Sequence, residues 1–231
     1  MSAADLLDEE KAADPGRAAP RIAVIDYGMG NRRSVEKALA HVGARATITS
    51  DRDALLHADG LVLPGVGAFP RAMANLTELG LGPVLVARLA AGTPMLGICL
   101  GMQLLFDSST ELGGAAGLGL LAGEVGPLDA RGAKLPHIGW NRVETQRPDA
   151  LIDGLAQDPA FYHVHSFVAR PSDRADVLAH CEYGERFVCA VARPPLYGVQ
   201  FHPEKSSSNG LALLANFARL CANRARSPSL A

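Results

Sequence analysis

Cys99 lies in the segment Pro94–Gly101 (PMLGICLG), flanked two residues away on each side by Gly97 and Gly101. Gly-x-Cys-x-Gly, placed where an apolar run meets a helical pattern, has the spacing of a nucleophile elbow with cysteine in the serine position. Each part has a chemical reason. A tight turn strains the nucleophile's backbone, and small neighbours relieve the crowding. The turn lifts the sulfur to the carboxyl end of a sheet, where α/β proteins bind ligands. A helix starting at Leu100 points its positive end at the sulfur, a setting that favours thiolate. The Leu100 N–H then faces the place where an oxyanion would form. A buried structural cysteine beside packing glycines is the plainer alternative for this segment alone.

A base and its orienter follow in Val199–Lys205 (VQFHPEK). His202 and Glu204 are two apart, so on extended backbone they point to the same side. Glu204 then binds one ring nitrogen of His202 while the other faces a thiol, the logic of a triad in the order Cys, His, Glu. A lone His–Glu pair is more often a surface ion pair, and it is the preceding elbow that gives this one weight. Leu63–Phe69 (LPGVGAF) is a glycine-flanked turn whose free N–H groups could complete an oxyanion hole with Leu100.

These groups need elements to hold them. Arg21–Tyr27, Ala44–Thr49, Gly60–Leu63 and Pro94–Ile98 read as strands, and Ser34–His41, Ala54–Ala58, Val84–Ala91 and Leu100–Phe106 as helices. This alternation implies a mostly parallel sheet with helices on both faces. Glycines are dense from Gly113 to Gly126. Short antiparallel strands are then expected at Arg142–Thr145, Phe161–Ala169 and Phe187–Val191, a last strand at Tyr197–His202, and a closing helix at Gly210–Cys221. The expected organisation is a disordered extension over 1–20, one α/β domain over 21–223 with a small antiparallel addition, and a tail over 224–231.

Composition excludes several functions. With 48% hydrophobic residues over 231 positions, the chain has enough apolar material for a sizeable core. A net charge of −2 leaves no electrostatic footprint for nucleic acid or an anionic membrane. No apolar run reaches the ~18–20 residues of a membrane span. The N-terminus lacks an apolar signal core, and Cys99, Cys181, Cys189 and Cys221 form no CxxC pair, so the expected location is a reducing cytoplasm. Among 22 Lys+Arg, only Lys11, Lys37, Lys134 and Lys205 are lysines.

PGVG, GICLGMQ and VQFHPEKS, in this order, resemble the class I (triad) glutamine amidotransferases, whose fold is flavodoxin-like. DYGMGN (Asp26–Asn31), LPHIGWN (Leu135–Asn141, after Lys134) and YHVHSF (Tyr162–Phe167) narrow the resemblance to the glutaminase subunits of imidazole glycerol phosphate synthases. The match runs from about Arg21 to Cys221. Anthranilate-synthase-type relatives, the nearest rival, usually read PGPG where this chain reads PGVG. A cysteine hydrolase of the same superfold is a further alternative, but those lack Gln103 and the HPE segment. A dinucleotide fingerprint at Gly28-x-Gly30 fails because Arg33 takes the third glycine position.

The resemblance implies a reaction and its parts. Cys99 attacks the side-chain amide of glutamine, a glutamyl thioester forms, and glutamate and ammonia leave. His202 moves the protons and Glu204 orients it. Val66 and Leu100 supply oxyanion N–H groups, the former after a partner-induced peptide flip. Gly67, Gln103, Ser166 and Phe167 hold the glutamine. Ammonia passes to a separate (β/α)8 cyclase subunit of a heterodimer, which makes imidazole glycerol phosphate and an aminoimidazole carboxamide ribonucleotide in histidine biosynthesis. Asn31, Trp140 and Lys205 lie near that interface. For Trp140, the only Trp, a core position is an equal alternative. No cofactor is implied. Two departures stand out: Phe167 replaces the common Tyr, and His163 replaces an aromatic residue. His163-x-His165 on a strand suggests a metal site, but the spacing offers no third ligand, and the expectation is no metal.

Overall fold

A computed structural model describes residues 18–225. Most of the expected N-terminal extension and the last six residues of the expected tail therefore lie outside the described residues. The parallel half of the main sheet follows mostly from short apolar runs buried on both faces, with the part-polar, partly exposed strand Arg45–Thr49 at its edge. Its strands are β1 (Arg21–Ile25), β2 (Arg45–Thr49), β3 (Gly60–Gly65), β4 (Met95–Cys99) and β14 (Leu196–Val199), in the order β2-β1-β3-β4-β14. Along β1, Ile22 and Val24 join one core cluster while Ala23 and Ile25 join the other, the period of two that a strand imposes.

Helices close both faces. Helix α1 (Arg32–His41) turns Val35, Ala38 and Leu39 toward the first cluster. Helix α6 (Ser207–Ala225) adds Leu213, Leu214 and Phe217 there. On the other face, α2 (Arg52–His57) contributes Leu55, α3 (Phe69–Glu78) contributes Phe69, Ala72 and Leu76, and α4 (Gly82–Ala90) contributes Leu85. These are the i, i+3, i+4 stripes of amphipathic helices.

Beyond β14 the sheet turns antiparallel. β13 (Glu185–Arg193) pairs with β14, then follow β11 (Phe167–Pro171) and β7 (Leu121–Pro127). β5 (Phe106–Ser109) runs parallel to β7, and the short β6 (Ala115–Ala116) closes that edge. A separate two-stranded ribbon joins β8 (His137–Arg142) to β10 (Ala160–His165).

Several elements differ from expectation. Helix α3 lies where no element was expected, although Phe69, Ala72 and Leu76 carried its stripe and a proline opens its first turn. The helix after Cys99, α5 (Leu100–Gln103), stops short of the expected end at Phe106. Its continuation is captured by a neighbouring loop: Leu118 N–H donates to Leu104 O, and Leu120 N–H to Leu105 O. The expected strand Phe161–Ala169 breaks at Ser166 and serves two sheets as β10 and β11. The strand expected at Arg142–Thr145 is shifted: β8 ends at Arg142, and only Glu144–Thr145 follows as β9. β12 (Val177–Tyr183), not foreseen, pairs with β13. At the carboxyl end, α6 continues past residue 223, and Arg224 Nε donates to Gly92 O at 2.9 Å.

Candidate active site

The elbow is built as its sequence requires. Cys99 ends β4 at φ 54°, ψ −111°, a left-handed conformation that costs energy in a residue with a side chain. Two glycines make room for it. A Cβ on Gly101 would stand 1.7 Å from Leu63 O, and one on Gly97 2.7 Å from Gly101 O. The elbow thus packs against β3, whose Gly65 lies opposite Cys99 in the parallel register.

His202 and Glu204 arrive from the end of β14. His202 keeps extended backbone, but Glu204 belongs to a 3-10 turn, Pro203–Lys205, instead of the extended strand end that was expected. The pairing survives the change: Glu204 Oε1 lies 2.8 Å from His202 Nδ1, with both side chains buried. A carboxylate at Nδ1 leaves Nε2 for the thiol. Burial lowers the His202 pKa, but its side-chain interactions with Cys99 and Glu204 outweigh that and push it up to about 10. Nε2 is buried without a fully formed hydrogen bond, and Glu204 Oε2 is likewise unpartnered. A resting triad of this kind tightens when substrate arrives.

A cleft of about 330 Å3 opens over the sulfur, within the size range of small-ligand sites. Val66, Gly67, Cys99, Leu100, Gln103, Ser166 and Phe167 all line it. His202 and Glu204 stand behind the sulfur, outside the lining. Gly67 has φ +108°, so the turn after β3 needs glycine there to present its N–H groups.

Gln103 lines the cleft and is also anchored in its wall. It is buried, and its Nε2 donates to Phe167 O at 3.0 Å and to Gln200 Oε1 at 3.1 Å. Gln200 Nε2 in turn reaches Cys99 Sγ at 3.7 Å. Gln103 therefore braces the cleft wall and, through Gln200, the nucleophile. Gln200 was not foreseen, although its place two residues before His202 was a signal. Glu111, also not foreseen, is an acidic residue of the lining and accepts from Phe69 N–H at 2.8 Å. No pattern along the chain connects it to Cys99.

The three residues expected at an interface lie outside the cleft lining. Trp140 is 56% exposed on β8, which excludes the core alternative. Its ring meets Tyr162 edge-on at 6.3 Å, and Lys205 Nζ sits 5.9 Å from the Tyr162 ring centre, so the three form one patch. Asn31 caps the loop before α1, where its Oδ1 accepts from Ser34 Oγ at 2.9 Å. That loop is fixed by Asp26, whose carboxylate accepts from Gly28 N–H and Arg32.

This fold and this site define a class, and residues 23–221 match the family described as glutamine amidotransferase class-I, so the chain belongs to that family. The imidazole glycerol phosphate synthase subunit HisH of Moorella thermoacetica is 50% identical over 86% of this chain and 94% of its own length. The proteins of the same name from Methylococcus capsulatus and Aquifex aeolicus are 51% and 48% identical, each over 86% of this chain and 95% and 96% of theirs. Among solved structures, one described as a glutamine amidotransferase superposes with a TM-score of 0.69 at 20% identity, covering 86% of this chain and 98% of that one. PurLQS from Thermotoga maritima gives 0.70 at 17%, over 87% and 99%. These two show the fold.

Proposed function

We propose that the chain is the glutaminase subunit of an imidazole glycerol phosphate synthase, working in histidine biosynthesis. What carries the reading is a strained Cys99 at the foot of a cleft, backed by a buried His202–Glu204 pair. Relatives named for that synthase, at about half identity over most of both chains, support the assignment.

Glutamine enters with its side-chain amide over Cys99. The Cys99 thiol proton passes to His202 Nε2, the sulfur bonds to the amide carbon, and the carbonyl π pair moves onto oxygen. The Leu100 and Val66 N–H groups receive that oxyanion, each worth on the order of 3 kcal/mol to the barrier. His202 hands its Nε2 proton to the leaving nitrogen, the C–N bond breaks, and ammonia departs from a glutamyl thioester. Water, deprotonated by His202, then releases glutamate and regenerates the thiol. Glu204 holds the imidazole in the orientation both steps need. Glu111 offers a negative charge to the substrate ammonium, while Gly67, Ser166 and Phe167 present main-chain groups to it.

Ammonia goes to a (β/α)8 cyclase subunit supplied in trans. Trp140, Tyr162 and Lys205, with the Asn31 loop, are the surface for that partner. A half-exposed Trp at the centre of such a patch suits an interface anchor. The partner acts through the Pro64–Gly67 turn, and a flip of its peptide completes the oxyanion hole. The test is glutamate release by the chain alone, then with the cyclase partner and its ribonucleotide. Release by the Cys99→Ser form would refute the assignment of the nucleophile.

A further inference from the structure

The ribbon β8–β10 does more than display Trp140. His163 and His165 are two apart on β10 and face the interior, and His137 stands directly opposite His165 in the antiparallel register. One ligand atom from each of these three buried imidazoles lies within 4.8 Å of the others. The third ligand that spacing along the chain does not provide is thus supplied across the ribbon by a residue 28 positions upstream of His165.

We propose that His137, His163 and His165 bind one divalent cation of the zinc type, clamping the ribbon to the wall of the glutamine cleft. The distances fit. His165 Nε2 lies 3.2 Å from His137 Nδ1 and 3.2 Å from His163 Nδ1. Three nitrogens at tetrahedral positions about 2.0–2.1 Å from zinc are separated by about 3.3 Å. Proton accounting points the same way. His165 Nδ1 faces Phe167 O at 3.1 Å, and a carbonyl only accepts, so Nδ1 carries the hydrogen and Nε2 has a single lone pair. Two nitrogens converge on that one lone pair, and for His137 Nδ1 to give its own lone pair to an ion, Asn141 Nδ2, 3.4 Å from His137 Nε2, must turn away. A cation at the centre would instead take a lone pair from each ring. The carbonyl on His165 is then the orienting partner that metal-bound imidazoles require, and Cys181 Sγ, 3.6 Å from His163 Nε2, serves His163 likewise.

Burial also favours this chemistry. All three rings are buried, and the neutral imidazole is the form that ligates a metal. His137 and His163 are stacked with ring centres 4.8 Å apart and must rotate toward the ion, while the backbone register that aligns them stays. His165 lines the cleft, which gives the ion its entry path. Three protein ligands leave a fourth position for water. The cation takes no part in the thioester chemistry. It fixes Val164 and Ser166, the residues on either side of His165, beside Cys99.

The experiment uses the full chain, stripped of metal by a chelator. Zinc is titrated by calorimetry, and cobalt by its visible absorption, into wild type, Cys99→Ser and His163→Phe. Phe fits beside Phe187 and Phe201, which already pack on this ring. Expected are one equivalent per chain, a tetrahedral cobalt spectrum without thiolate charge transfer, and unchanged binding in Cys99→Ser. Binding by His163→Phe should weaken at least 100-fold, the upper limit of what losing an orienting partner alone costs (roughly 10–100-fold). Should His163→Phe fail to fold by circular dichroism, His137→Asn is read the same way. Failure of wild type to bind, binding undiminished in the histidine variants, or binding lost in Cys99→Ser would each overturn the proposal. The last would mean that the ion sits on Cys99 and His202.

Discussion

At the scale of single residues, the proposed reaction rests on three side chains and their supports. Glu204→Gln keeps the shape of the buried pair but removes the charge that orients His202 and stabilises its protonated form. Its glutaminase kcat is expected to fall by about 10²–10⁴-fold with folding intact, measured as glutamate release in the presence of liganded cyclase. The interactions of His202 with Cys99 and Glu204 set an alkaline limit on stability. The folded pKa of His202, about 10, is above the unfolded value of about 6.5. Its contribution is therefore fully present below about pH 6.5 and is lost as pH rises through about 10. The unfolding free energy from urea titrations should drop more between pH 6 and pH 10 for wild type than for His202→Gln, by an amount on the order of a few kcal/mol. Equal losses in the two proteins would contradict this. The triad residues were legible in the sequence because elbow and HPE motifs are local. Gln200 and Glu111 were not, because their relation to Cys99 is made only by the folded chain.

At the scale of elements, the elbow depends on backbone contact between β4, α5 and β3. Gly101→Ala places a methyl 1.7 Å from Leu63 O, and no flexible side chain can yield there. Such overpacking is expected to cost about 1–3 kcal/mol or more and to lower the urea midpoint and activity together. The strand–helix alternation of residues 21–99 was legible from apolar runs and their turn residues. Elements whose boundaries depend on distant partners were not. Helix α5 ends where the Gly117–Leu121 segment takes the carbonyls of the residues that would continue it, Leu104 to Asp107, and the Phe161–Ala169 run is divided at Ser166 by two different sheets. The third histidine of the cluster, His137, failed to show for the same reason, since register across a ribbon leaves no spacing signature along the chain.

At the scale of the whole molecule, the cleft and the patch proposed to meet the partner are joined by the β8–β10 ribbon, which carries Trp140 and Tyr162 on one side and leads into Ser166 on the other. Trp140→Ala should leave thermal stability near that of wild type, because the ring is exposed. It should raise the dissociation constant for the cyclase by about 10-fold or more, the cost of truncating an interface anchor, as read by calorimetry. Two of the four lysines bracket the same functions: Lys134 holds Tyr183 through its carbonyl at 2.7 Å, and Lys205 covers Tyr162. The lysine ammonium at position 205 is compact where arginine would be planar, so Lys205→Arg tests whether the patch needs that shape.

The central claim is that this chain is a glutaminase whose activity is set by a cyclase partner. The most direct measurement is the steady-state rate of glutamate release from glutamine, with and without a cyclase subunit loaded with its ribonucleotide. A slow basal rate, a large acceleration by the loaded partner, and no turnover by Cys99→Ala in either state are the expected results. Equal rates with and without the partner, or glutamine-dependent turnover in Cys99→Ala, would contradict the account.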